Sequence, residues 1–575
     1  MQQQNTENPQ QETELEQLLG LWGGEIVFGP LIRGQLTIDG RGQEWIASVK
    51  GFDATVEQKD NSTSFTLPGG HGEFRGHVGR TANSIEGHWI QPAGVTLSDR
   101  YASPLTLTRL EENVWRGKVV PLDDTLTIYL AIRKNADGSL GGFIRNPEFN
   151  LGVGRPFAIS VDADLITFSN KRNPNDRLHG KYDRKNDRLH FALPDWGASL
   201  ELIRRDRNNA YGFYPRTPNN AGYAYRQPIS EDDGWTTGSL TSVGLDSKPI
   251  TSLVEHIFNT EPTDYTTPYV QGLLIARHGK LVLEEYFNGF DKDRPHDTRS
   301  AGKTFASVLV GIAIDSGAKF GVNSPVYPLF PEYKFPNMDP RKMRLTVENL
   351  LTMTTGLACD DNDDDSPGNE GVMQGQRLQP DWYEYTLGLP VSHEPGGSQA
   401  VYCSATINLL GGVVKNTMRT WIPEFFHKHY AKPMQIRRYH MNLMPTGEGY
   451  VGGGVYMRPR DLLKLGQLYL SGGTWNGTRV LSRSWVDQST KRHSSYDREH
   501  GYGYAWHIHE YHAQGIVYKG HSAEGNGGQL VIVIPQLDLV VLFTAGNYQS
   551  YPVWRRFGEE LVPQYVLRAA SPSKN

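Results

Sequence analysis

The chain has 575 residues, 38% of them hydrophobic and 21% charged, which at roughly 100–200 residues per domain suggests about three to five domains and at least one large core. A formal net charge of -5 with no long basic run argues against nucleic acid or an anionic membrane surface as partner. The 62 Gly and 34 Pro, about one residue in six, fall below the roughly 25–30% of a low-complexity chain, and the two cysteines, Cys359 and Cys403, are too few for a disulfide scaffold or a paired C-x-x-C zinc site.

Residues 1–17, rich in Gln, Glu and Asn, read as a disordered start without the basic and apolar regions of a signal peptide. As given, the chain is therefore expected in the cytoplasm, or in the periplasm or outside the cell if a leader has been removed. From 18 to 205, short alternating runs such as Leu126 to Ile132 are broken by Gly, Asp and Asn, the pattern of antiparallel strands. This half reads as two similar β-rich, barrel-like units, 18–111 and 112–205. Trp22-Gly23-Gly24 matches Trp115-Arg116-Gly117, and Gly87-His88-Trp89 matches Gly180-Lys181-Tyr182, both at an offset of 93 residues. No catalytic cluster lies here, so a structural add-on, a spacer or a binding role is expected. Residues 206–234 read as a linker.

From 235 to 575 the pattern changes. Val270 to Arg277 and Lys280 to Phe287 form a hairpin around His278-Gly279, and a helix follows from Ser300, with Phe305, Val308, Leu309 and Ile312 on one face. Further helices are expected around 347–353, 405–415, 459–470 and 484–488. Strands at 528–535 and 537–545 and an amphipathic helix over 553–567 close the chain. The fold class is α+β: an antiparallel sheet gathered from distant strands, flanked by helices. No apolar stretch reaches the ~18 residues needed to span a bilayer; Leu530 to Phe543 is broken by Pro535 and Asp538.

Three motifs carry chemistry. Ser300-Ala301-Gly302-Lys303 puts an amine three residues from a hydroxyl, on one helical face. A serine is a weak nucleophile until a neighbour takes its proton, and a buried lysine is pushed toward its neutral form. The same four residues also describe a capping serine with a solvated lysine. Tyr402-Cys403-Ser404 offers a phenol whose pKa a nearby lysine could lower enough for general base work, although taken alone such a tyrosine more often reads as a packed core residue. The glycine-dense run Lys519 to Gln529, with His521, Ser522 and Glu524, could bring a backbone N–H close to an oxyanion, or could be an ordinary hairpin.

Together these motifs resemble the β-lactamase-related serine hydrolase superfamily, the penicillin-recognising fold of class C β-lactamases, DD-peptidases, certain esterases and aminohexanoate oligomer hydrolases. The resemblance covers about Trp235 to Ala570. It adds Leu345 to Leu357, Pro395-Gly396, Gly452-Gly453-Gly454 and Arg460-Asp461-Leu462. It implies Ser300 as acylated nucleophile, Lys303 and Tyr402 as proton handlers, an oxyanion hole from the Ser300 N–H and one near Glu524, and substrate contacts from Ser404 and His521. It implies a small ester or amide as substrate, and neither metal nor organic cofactor.

Two departures bear on the substrate. Ser404 stands where the β-lactamase branch has Asn, and His521-Ser522-Ala523 stands where it has Lys-Thr-Gly. A largely neutral imidazole anchors a carboxylate poorly, so an esterase or amidase is favoured over a β-lactamase or DD-peptidase. The run Gly525 to Gln529 looks most like the aminohexanoate-hydrolase branch. A reading from another class is a catalytically silent protein that binds through its N-terminal β units. The acidic run Asp360 to Asp365 lacks the Gly and Glu that a calcium loop needs at its sixth and twelfth positions, and reads as a solvated loop bordering the cleft. Cys359 on that loop and Cys403 beside Tyr402 leave a disulfide near the site open.

Overall fold

The computed structural model describes residues 16–570 apart from 30, 80–82, 95–99, 123–124, 149–155, 172–174, 176, 194–197 and 217–221. All but the last two residues of the expected disordered start therefore lie outside the described residues.

A nine-stranded sheet organises the C-terminal part. Its spatial order is Thr236–Thr237, Lys280–Tyr286, Val270–Arg277, Leu539–Ala545, Gln529–Ile534, Ile516–Gly525, His507–Ala513, Gly501–Tyr502 and Ser494–Ser495. Its three central strands are buried at every position, so they read as unbroken apolar runs, as strands covered on both faces do. Alternate residues feed two cores. Leu274, Val531, Val533 and Leu542 pack with the helices Lys303–Asp315, Ser404–Met418 and Pro459–Leu470. Leu273, Ile532, Ile534 and Phe543 pack on the other face, with the helices Ser247–Phe258 and Tyr551–Arg556 and the π-helical turns that follow to Leu567. Among the described residues no helix is long and apolar enough to cross a membrane.

The N-terminal half is all-β, but its sheets do not divide at residue 111. An eight-stranded closed barrel joins Gly20–Val27 to the strands between 125 and 205. The strand Val114–Val119 lies instead in a second sheet, between Gly34–Asp39 and Arg100–Glu111. Trp22 pairs with Leu130 and Arg204, and Trp115 with Ile38 and Arg109. The two tryptophans thus hold equivalent places, and the first strand of each expected unit completes the sheet of the other. Trp22, Leu130, Ile166, Phe168, Leu189 and Phe191 pack together in one buried cluster of the barrel, which is a filled core of the kind small barrels have.

The two halves share a sheet. Tyr439–Leu443 pairs with Arg100–Glu111 through Met441↔Ala102, Asn442↔Tyr101 and Leu443↔Arg100. It also pairs with Val455–Met457, which pairs in turn with His296–Asp297. The N-terminal sheet therefore extends to Asp297, three residues before Ser300. The stretch 206–234 has no helix or strand among its described residues, yet Ala210 and Phe213 are buried and Arg145 donates to the Phe213 carbonyl. This stretch is packed onto both halves.

Candidate active site

Ser300 lies in a tight 3-10 turn, Arg299–Gly302, that runs straight into the helix Lys303–Asp315. Arg299 holds a left-handed backbone at φ 48°, a conformation that costs a non-glycine residue about 1–3 kcal/mol and persists only where its surroundings impose it. Asp297 does so here. Its carboxylate accepts from the Arg299 N–H at 2.9 Å and pairs with Arg299 Nε at 2.8 Å. The strand Ile516–Gly525 presses against the same turn. A Cβ at Gly525 would lie 2.4 Å from the Thr298 carbonyl oxygen and 3.1 Å from the Ala301 nitrogen, so only glycine lets the strand come this close.

Lys303, 2% exposed, donates from Nζ to Ser300 Oγ at 2.9 Å. Its Nζ also lies 4.9 Å from the centre of the Tyr402 ring. The structure thus brings Ser300, Lys303 and Tyr402 together. Burial pushes the Lys303 pKa below its ordinary value, and Glu370 and Asp361 oppose that shift. For Tyr402 the electrostatics differ from the sequence expectation. Burial drives the phenol well above its ordinary pKa, hydrogen bonding with Ser300 offsets only part of this, and Asp361, Glu370 and Glu524 push it further up. The phenol keeps its proton, which suits a donor rather than a base.

The remaining expected residues are placed less simply. Ser404 is fully buried, and both its N–H and its hydroxyl donate to Asp361 Oδ2, at 2.7 and 2.6 Å. His521 faces the core, with its ring 4.8 Å from Trp506 and 6.2 Å from Tyr469; burial lowers its pKa to about 3. It shares a strand face with Gly525 but lies four residues before it, inside the core rather than at the Ser300 turn. Glu524 lies next to Gly525, where the strand meets the Ser300 turn, and its side chain engages His509 and Ser522.

Asp361 is the residue that the sequence did not single out. Asn362 to Asp365 are exposed, as a solvated loop predicts, but Asp361 turns inward. Its Oδ1 accepts from the Glu370 N–H at 2.8 Å, and burial raises its pKa. One inward Asp within an acidic run has no local signature. The Cys359–Cys403 disulfide, which ties this loop to the Tyr402 segment across 44 residues, explains how the residue is held. Cross-linking a loop of that length removes about 4 kcal/mol of unfolded-state entropy. Replacing both cysteines with serine is expected to lower the unfolding free energy by up to that amount in guanidinium titrations; an unchanged midpoint would count against the bond's role.

A family model described as Beta-lactamase matches residues 263–557. A curated relative, "6-aminohexanoate-dimer hydrolase" of Paenarthrobacter ureafaciens, is 27% identical over 221 residues, covering 37% of this chain and 55% of its own. "Protein flp" of Staphylococcus aureus (strain MW2) is 22% identical over 198 residues, covering 33% of this chain and 37% of its own. The chain therefore spans about half or less of the curated relatives it matches. Among solved structures, a penicillin binding protein from Bacillus halodurans superposes with a TM-score of 0.40 at 17% identity, covering 50% of this chain and 95% of its own.

Proposed function

Because this chain belongs to the β-lactamase family, we propose that it is a serine hydrolase that cleaves a small ester or amide through an acyl-enzyme on Ser300. The observation that carries this reading is the contact of a buried, pKa-depressed lysine with the serine hydroxyl. Lys303 takes the proton as Ser300 Oγ attacks the substrate carbonyl. The oxyanion is held by backbone N–H groups of Ser300 and of the Glu524 strand. Tyr402, protonated, donates to the departing alkoxide or amine and recovers its proton through Lys303. Water then repeats the sequence on the acyl-enzyme, with Lys303 again as base. The Asp361–Ser404 clamp fixes the Tyr402 segment and tunes the charge on Lys303. The inward His521 leaves no lysine-like anchor for a substrate carboxylate at that position, which favours esters and amides over penicillins.

A fluorophosphonate probe is expected to label Ser300, as mapped by peptide mass spectrometry, and Ser300→Ala is expected to lose both label and turnover of short p-nitrophenyl esters. A folded wild-type protein that takes up no label would instead favour a silent binding protein.

A further inference from the structure

His507, His509, Ser522 and Glu524 lie on two adjacent antiparallel strands and point to one face of the sheet. His507 is opposite Ser522 in the register and His509 is opposite Gly520, so period-two alternation brings Glu524 to the same side. One ligand atom from each of His507, His509 and Glu524 lies within 4.8 Å of the others. His509 Nε2 is 2.7 Å from Glu524 Oε1, and the Ser522 hydroxyl donates to that oxygen at 2.5 Å. The two imidazole planes are nearly parallel, at 9° with centres 6.1 Å apart, and His507 is wedged between the rings of Tyr496 and Tyr502.

We propose that His507, His509 and Glu524 form a binding site for one divalent transition-metal ion of the zinc class, beside the Ser300–Lys303–Tyr402 cluster, and the binding test below does not depend on the hydrolase reading. Two imidazoles and one carboxylate are a borderline donor set, poor for magnesium or calcium, which prefer all-oxygen shells. Three protein ligands leave the fourth tetrahedral position open. His509 and Glu524 also line a cavity of about 720 Å³ bordered by His500, Tyr511, Trp554 and Arg555, which gives an ion a route in and room for a water or an added ligand. Ser522 is the supporting partner that orients the carboxylate, the arrangement metal sites use around their ligands.

The preorganisation is substantial. The side chains of His509 and Glu524 are 19% and 16% exposed, shielded but reachable. Bonds of roughly 2.0–2.1 Å place tetrahedral ligand atoms roughly 3.3 Å apart. The His509–Glu524 pair therefore has to open by about half an ångström, and any proton on His509 leaves as the metal enters. An ion here would pin two strands together, so binding should also raise the melting temperature.

The test uses the full chain, stripped with EDTA and desalted, then titrated with zinc chloride by calorimetry and with cobalt chloride by visible absorption. One equivalent per chain is expected to bind, with the intense bands of a four-coordinate cobalt ion and a rise in melting temperature. His507→Ala and His509→Ala should each weaken zinc binding by at least the roughly tenfold that loss of an outer-shell partner alone costs. Absence of saturable one-equivalent binding, or a double variant that binds as tightly as the wild type, would overturn the site. Weak six-coordinate cobalt bands in the wild type would overturn it without recourse to any variant. The contact would then be an ion pair between His509 and Glu524 and nothing more.

Discussion

Lys303→Met is expected to lower kcat by about 10²–10⁴-fold, the range that a positioned general base supplies, and to leave the fold intact. The side chain is buried and its amine donates to the Ser300 hydroxyl, so an isosteric apolar chain removes a desolvation cost and leaves that hydroxyl free to turn to another partner. The pH profile gives the sharper reading. Lys303 works as a base only when neutral, so kcat/KM should rise with pH as its proton is lost. Burial depresses its pKa from the ordinary 10.5, which puts that rising limb below pH 10.5. In Lys303→Met the limb should vanish. Asp361→Asn removes a carboxylate that favours the charged amine and should move the limb to lower pH. A variant that keeps activity within about threefold, or a wild-type limb at the ordinary lysine value, would remove Lys303 from the mechanism.

The parts of the fold that the sequence made legible are those set by local periodicity. The helix expected over 459–470 is observed at Pro459–Leu470, and the late strands fall at Gln529–Ile534 and Leu539–Ala545. The contact of Ser300 with Lys303 follows from a spacing of three residues, whereas Tyr402, more than a hundred residues on, was reached only through the resemblance carried by the ordered motifs, because neither its type nor its spacing separates it from a core tyrosine. What was not readable depends on residues far apart in the chain. Neither Met441 nor Ala102 carries any sign that they pair, and the exchange of Gly20–Val27 for Val114–Val119 leaves the repeat pattern unchanged. The Tyr402 pKa went the other way because burial of the phenol itself outweighs every other influence, and Asp361 and Glu370, invisible as neighbours in the sequence, add to it. His521 was expected at the substrate because of where it stands in its motif; the strand meets the Ser300 turn at Gly525, four residues later, which leaves His521 in the core against Trp506 and Tyr469.

Arg460→Met is expected to be strongly destabilising. Arg460 has no exposed side-chain surface, and it pairs with Asp233 through Nε and with Glu284 through Nη1, both at 2.8 Å. Two carboxylates that are themselves 4% and 8% exposed would be stranded. Leaving buried charges uncompensated costs about 3–5 kcal/mol, far more than the methylenes the substitution retains. Glu284 already has its pKa raised by burial, with Arg460 the main opposing influence. Without the arginine its pKa should rise further, so the loss should shrink as pH falls and Glu284 becomes neutral in the folded state. Guanidinium unfolding at pH 8 and pH 5 measures both effects; a loss below about 1 kcal/mol, or one that grows on acidification, would contradict the account. The same contact changes what 206–234 is. Asp233 ends the stretch read as a linker, and through Arg460 it is bound to the helix Pro459–Leu470 and to the strand Lys280–Tyr286. With the sheet pairing that carries Arg100–Glu111 to within three residues of Ser300, it makes the N-terminal half a buttress of the Ser300 turn. Cutting the chain at 233 would therefore remove support for the site as well as a neighbouring module.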